Sequence, residues 1–222
     1  MDKSTRNYPL EDIDRETMFH PNTSIVDHLQ KGPHIVAKAR GVRIEDHRGR
    51  DLIDCGAGLW CVNIGYGRKE MGEAAKQAIE NLAYYHIFGG ALGLVNIDIM
   101  EREGLVQQAA EVGSYLQALL AERVGSHPHV GEVRGVGQMI AVEFVADKAA
   151  RRFFELKAGA HRLVATKALE LGVLTRALPF IEVNSFSPPL SMTRSEAEEA
   201  VERYGKALDA VMPDLARLAA GK

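Results

Sequence analysis

A few side chains in this sequence have the type and setting for chemistry. Arg176, in the run LTRALPF, carries a planar fork of donors that matches a carboxylate, against the plainer reading of a solvated loop arginine. Trp60 is the single tryptophan and follows Gly58 among small residues. It is expected to pack, either in the core beside Cys61 and Ile64 or at an interface, since indole serves both. Tyr84, Tyr85 and Phe88 form an aromatic cluster that reads as packing. The pair His127 and His129 in HPH lacks a third ligand at metal spacing and reads as a surface turn, so no metal is expected. Cys55 and Cys61 are not spaced as C-x-x-C and read as two buried thiols. The run NIGYGRKEM, Asn63 to Met71, leads into a helix, but a lone G-x-G is a weak phosphate signal.

The elements that must position these groups follow from periodicity. Short extended runs begin at His34: HIVAKARG, then VRIEDHRG with Val42 and Ile44 alternating against Arg43 and Glu45, then RDLIDCGAG. Glycine punctuates each, as in an antiparallel meander. A helix spans about Lys69 to Leu82. Beyond Gly90 the apolar positions Val95, Ile99, Val106, Val112, Leu116 and Leu119 give one long helix or two with a kink, with Gly104 and Gly113 as weak points. A strand covers Met139 to Val145, fronted by Gly135 and Gly137. A helix covers about Arg162 to Leu171 with Gly172 closing it, and short strands lie near 173–176 and 181–185. The last helix opens with a capping box, Thr193 with Glu196, and lays Val201, Tyr204, Leu208 and Val211 on one face. Residues 1–16 read as an arm ordered only by docking.

Composition narrows the function classes. The 222 residues are 46% hydrophobic, enough for a substantial core, and the net charge of -3 without a basic patch argues against nucleic acid. Two cysteines in a chain this long suggest a reducing compartment, taken as the cytoplasm. The polar N-terminus lacks a signal-peptide core, and no run reaches the ~18 apolar residues of a membrane helix.

The stretch HPNTSIVDHLQKGPHIVAKARGVRIEDHRGRDLIDCGAGLWCVNIGYGRKEM resembles the N-terminal segment of class III pyridoxal-phosphate aminotransferases of the omega-transaminase type. GLWCVNIGYGR is its most specific piece. EREGLVQQAAEVGSYLQALL, VGEVRGVGQMIAVEFV and GVLTRALPFIEVNSFSPPLSMTRSEAEEAV resemble the C-terminal domain of the same family. The resemblance implies an α/β (α+β) fold, the small domain of the aspartate aminotransferase type with an antiparallel sheet, flanking helices and an N-terminal β-meander. It divides the chain into an arm (1–16), an N-terminal segment (17–90) and a C-terminal small domain (91–222). It further implies that Trp60, Tyr85 and Arg176 are vestiges of a substrate pocket, with Arg176 similar to the arginine that receives a substrate carboxylate.

In the family a large cofactor-binding domain lies between the two segments and supplies the lysine that carries pyridoxal phosphate. Here Gly90 meets Ala91 directly. None of the ten lysines matches the catalytic position, and the acidic motif that holds the pyridine nitrogen is not found. The expectation is therefore a cofactor-domain-deleted aminotransferase fragment that binds no cofactor, lacks independent catalysis and forms a homo-oligomer. The alternatives are an enzyme completed by oligomerisation or a separate domain, and a non-catalytic binding module.

Overall fold

The computed structural model describes residues 10–18, 20, 23–81, 94–155 and 158–221. The meander forms as its alternation requires. β1 (Val36–Arg40), β2 (Arg43–Asp46) and β3 (Asp51–Asp54) pair antiparallel, and Val42, Ile44, Leu52 and Ile53 are buried. The Asp46 carboxylate fixes the β2–β3 turn by accepting from the backbone N–H of Arg48 and Arg50, both at 2.9 Å, and from Arg50 Nε at 2.6 Å. Burial pushes its pKa up, but these donors outweigh it and hold the carboxyl at about 2.

β3 also pairs parallel with β6 (Val173–Leu174), so the first sheet, ordered β1-β2-β3-β6, joins chain segments 120 positions apart. The second sheet, β4-β5-β8-β7, is antiparallel throughout: β4 (Val130–Val136), β5 (Met139–Phe144), β8 (Val183–Phe186) and β7 (Arg176–Ala177). β4 lies ahead of the expected Met139–Val145 strand, in a stretch for which the sequence offers only the two glycines that front it. Gly137, at φ 55, takes the tight hairpin turn, and a side chain at Gly135 would strike the Met139 carbonyl at 2.4 Å. β8 begins at Val183, later than expected, because Ile181 is turned out to solvent.

The helical stretch beyond Gly90 resolves into α5 (Leu94–Arg102) and α6 (Leu105–Val124), parted at Gly104 in the left-handed region. α6 buries Leu105, Ala109, Val112, Leu116, Leu120 and Val124 at helical spacing, while Val106 faces solvent. α7 (Ala160–Glu170) and α6 both pack against α8 (Arg194–Ala210). α8 starts with the expected capping box, and Val201, Tyr204, Leu208 and Val211 are all buried. Tyr204 meets Phe186 edge to face with centroids 4.9 Å apart, and its hydroxyl donates to Asn184 Oδ1 at 2.9 Å. Val42, Ile53 and Cys55 of the first segment share one core with Val112, Val142, Phe186 and Tyr204 of the second.

Positions 1–9 of the expected arm lie outside the described residues; from Leu10, α1 (Leu10–Thr17) and α2 (Ile25–Lys31) pack on each other, and Arg48 Nε donates to Glu11 at 2.9 Å. α4 (Lys69–Asn81) falls where its spacing placed it, and α9 (Met212–Ala219) closes the chain on Leu215. Among the described residues no helix is long and apolar enough to cross a membrane.

Candidate functional site

The site is built on the loop that leaves β3. Asp54, 1% exposed, ends that strand with its carboxylate turned into the loop. Its Oδ1 accepts from the Gly56 N–H at 2.8 Å, and its Oδ2 accepts from the Gly58 N–H at 3.0 Å and from the Tyr66 hydroxyl at 2.6 Å. Burial raises the Tyr66 pKa, and the hydrogen bond to Asp54 raises it further. Around this anchor α3 (Ala57–Trp60) winds left-handed, with φ of 45, 53, 57 and 67° at Ala57, Gly58, Leu59 and Trp60. Three of the four residues are not glycine, so about 1–2 kcal/mol of strain each is held in this turn.

The loop is sewn to the C-terminal segment through its backbone. Cys55 N–H donates to Leu174 O at 3.0 Å, Ser187 N–H to Cys55 O at 2.6 Å, and Leu190 N–H to Asn63 O at 2.7 Å. The outcome is an exposed indole. Trp60 is 53% exposed, which overturns the reading of it as a core anchor. The left-handed turn carries Trp60 and Leu59 outward together, and the Arg176 guanidinium sits over the indole, 4.9 Å from its centroid. Two of the three pocket residues expected by resemblance therefore meet. Tyr85, with Tyr84 and Phe88, lies outside the described residues.

Other expectations need correction. Cys61 is exposed, because it follows the same outward turn; Cys55 is buried as expected, and burial pushes its thiol up. His129 is not a surface residue: its ring is buried, with Nδ1 3.2 Å from Val145 O. Asp14, His20 and His28, which no sequence motif links, offer three ligand atoms within 4.8 Å of one another.

The described residues do not fit pyridoxal phosphate. Gly65 and Gly67, the nearest thing to a phosphate turn, are packed against protein: an added side chain would meet Ser191 Oγ at 2.8 Å at the first and Ala39 O at 3.2 Å at the second. Tyr66 between them exchanges backbone hydrogen bonds with Gly41. Of the described lysines, Lys31, Lys38, Lys69, Lys76, Lys148 and Lys206 are exposed, and the half-buried Lys167 pairs with Glu170. A Schiff-base lysine is commonly activated by removal from water, and these side chains are not withdrawn from it.

The family model described as Aminotransferase class-III matches residues 88–208. Among curated proteins, the chain is 46% identical over 134 residues to a diaminobutyrate–2-oxoglutarate transaminase of Halomonas elongata, covering 60% of this chain and 28% of that one. It is 41% identical over 76 residues to a putrescine–pyruvate aminotransferase of Pseudomonas aeruginosa, covering 34% and 17%. The chain thus spans less than a third of the length of these relatives. Among solved structures, an omega transaminase from Pseudomonas jessenii superposes with a TM-score of 0.84 at 15% identity, covering 94% of this chain and 99% of that one. A transaminase obtained by ancestral reconstruction gives 0.84 at 21%, covering 92% and 99%. At these identities the structural likeness shows the fold.

Proposed function

Because the chain belongs to the class-III aminotransferase family, we propose that it is a form of such an enzyme lacking the cofactor domain, with the deletion closed near Gly90, and that it has no catalysis of its own. The reaction of the complete family member would be amino transfer between an amine and a keto acid or aldehyde. The observation that supports this reading is the Trp60–Arg176 contact, which in the proposal is one wall of a pocket for a carboxylate-bearing substrate. The lysine and phosphate turn that the chemistry requires have no counterpart among the described residues. In this reading the chain divides at the join into the segments 17–90 and 91–222. Pyridoxal phosphate supplies the electron sink in the family.

Incubation with pyridoxal phosphate, borohydride reduction and peptide mapping tests the proposal. Sparse labelling spread over exposed lysines is expected. Stoichiometric labelling of one lysine would refute it. The exposure of Leu59 and Trp60 on the loop and of Ile79 on α4 also supports a homo-oligomer that covers these residues. Light scattering over a tenfold dilution should give a dimer mass or larger, reduced by Trp60→Ser. A monomer at high concentration overturns that part.

A further inference from the structure

Asp14 of α1, His20 of the connection that follows and His28 of α2 converge on one cleft. His20 Nε2 lies 2.7 Å from Asp14 Oδ1, and His28 Nε2 lies 3.6 Å from the same oxygen. The His28 side chain is 9% exposed, and its Nε2 is buried without a hydrogen-bond partner among the described residues. A polar atom withdrawn from water and left unpartnered is costly, and here it faces a carboxylate shared with a second imidazole.

We propose that Asp14, His20 and His28 bind a divalent first-row transition ion, of which Zn2+ is representative. Two imidazoles and a carboxylate without a thiolate suit the borderline ions, and three protein ligands leave a coordination position for water. Ligand atoms around a tetrahedral ion with bonds near 2.1 Å stand ~3.4 Å apart. The present separations bracket that value, so side-chain rotations bring the three atoms onto one centre. The ion takes the place of the Asp14–His20 hydrogen bond and gives His28 Nε2 its missing partner. Of the cationic side chains beside these ligands, Lys31 is engaged by Asp27 and Arg15, which lines the adjoining cleft with His20 and His28, by Asp12, each at 2.9 Å. Its structural effect is to lock α1 onto α2 through residues from three successive pieces of chain.

The test uses the full chain, untagged and stripped with chelator. Co2+ should produce visible d–d bands of nitrogen-oxygen coordination at one equivalent, and calorimetry with Zn2+ should give the same stoichiometry. His20→Gln, at a half-exposed position, and His28→Ala should each weaken Zn2+ by at least about 100-fold, since even outer-shell partners are worth 10–100-fold. His127→Ala should bind as wild type. Zn2+ should also slow amide exchange in α1 of wild type but not of His20→Gln. Absence of the Co2+ bands, or unchanged affinity in both ligand variants, overturns the proposal.

Discussion

Replacing Asp54 with asparagine keeps the shape of the side chain and removes one acceptor and the charge. The carboxylate satisfies three donors: Gly56 N–H at one oxygen, Gly58 N–H and the Tyr66 hydroxyl at the other. An amide must aim its NH2 at one of these groups. The cheaper orientation points it at the Gly56 N–H, stranding one donor and turning two charge-assisted hydrogen bonds into neutral ones. Charge-assisted bonds are worth ~1.5–3 kcal/mol and neutral ones about half, so the cost is about 3–6 kcal/mol. That loss is local, because it falls on a turn already holding about 3–6 kcal/mol of left-handed strain at Ala57, Leu59 and Trp60. The loop should therefore open before the rest of the protein. Trp60, the single tryptophan, reports on that loop directly. In urea, its fluorescence anisotropy and far-UV circular dichroism should fall together in wild type. In Asp54→Asn the anisotropy should fall at clearly lower urea. Coincident transitions within about 0.5 kcal/mol of wild type would refute the claim that Asp54 holds the turn.

Gly113→Ala should destabilise by more than about 3 kcal/mol in thermal melts despite alanine's better helix propensity, because the added carbon would lie 2.2 Å from the Gly137 carbonyl carbon, which is backbone. Glu182→Ala should cost about 2–4 kcal/mol by urea denaturation, since Glu182 accepts from Gly159 N–H at 2.9 Å, His161 N–H at 3.0 Å and approaches His161 Nδ1 at 2.6 Å, all at the start of α7. The Asp46 carboxyl is depressed from 3.8 to about 2, so its stabilisation is complete above pH ~4 and fades as pH falls toward 2. The stability difference between wild type and Asp46→Asn should be flat above that window and shrink through it.

Patterns confined to one element were readable in the sequence. The Thr193–Glu196 box, the buried face of α8 and the alternation of β2 each depend on residues a few positions apart, where local geometry decides. β4 escaped because its burial is partial and its glycines serve a neighbouring strand: Gly135 makes room for Met139, and Gly137 turns the hairpin. Trp60 and Arg176 were found by resemblance, but the exposure of Trp60 was not, because it is set by a left-handed turn that Asp54 and Tyr66 hold from outside. The buried ring of His129 depends on a carbonyl sixteen positions away. Asp14, His20 and His28 are spaced by six and eight, which matches no ligand motif, and only the docking of α1 on α2 brings them together.

The parallel pairing of β3 with β6 bears on chain continuity. Ile53 N–H donates to Gly172 O at 2.9 Å, and the Cys55–Leu174, Ser187–Cys55 and Leu190–Asn63 bonds extend that seam. All of it is made by residues outside 82–93 in the sequence. Val42, Ile53 and Cys55 are enclosed by side chains from position 112 onward. Two separately made polypeptides, one ending near position 81 and the other starting near 94, therefore carry complementary edges, and their reassociation could drive a split-protein sensor in which β3 recognises β6.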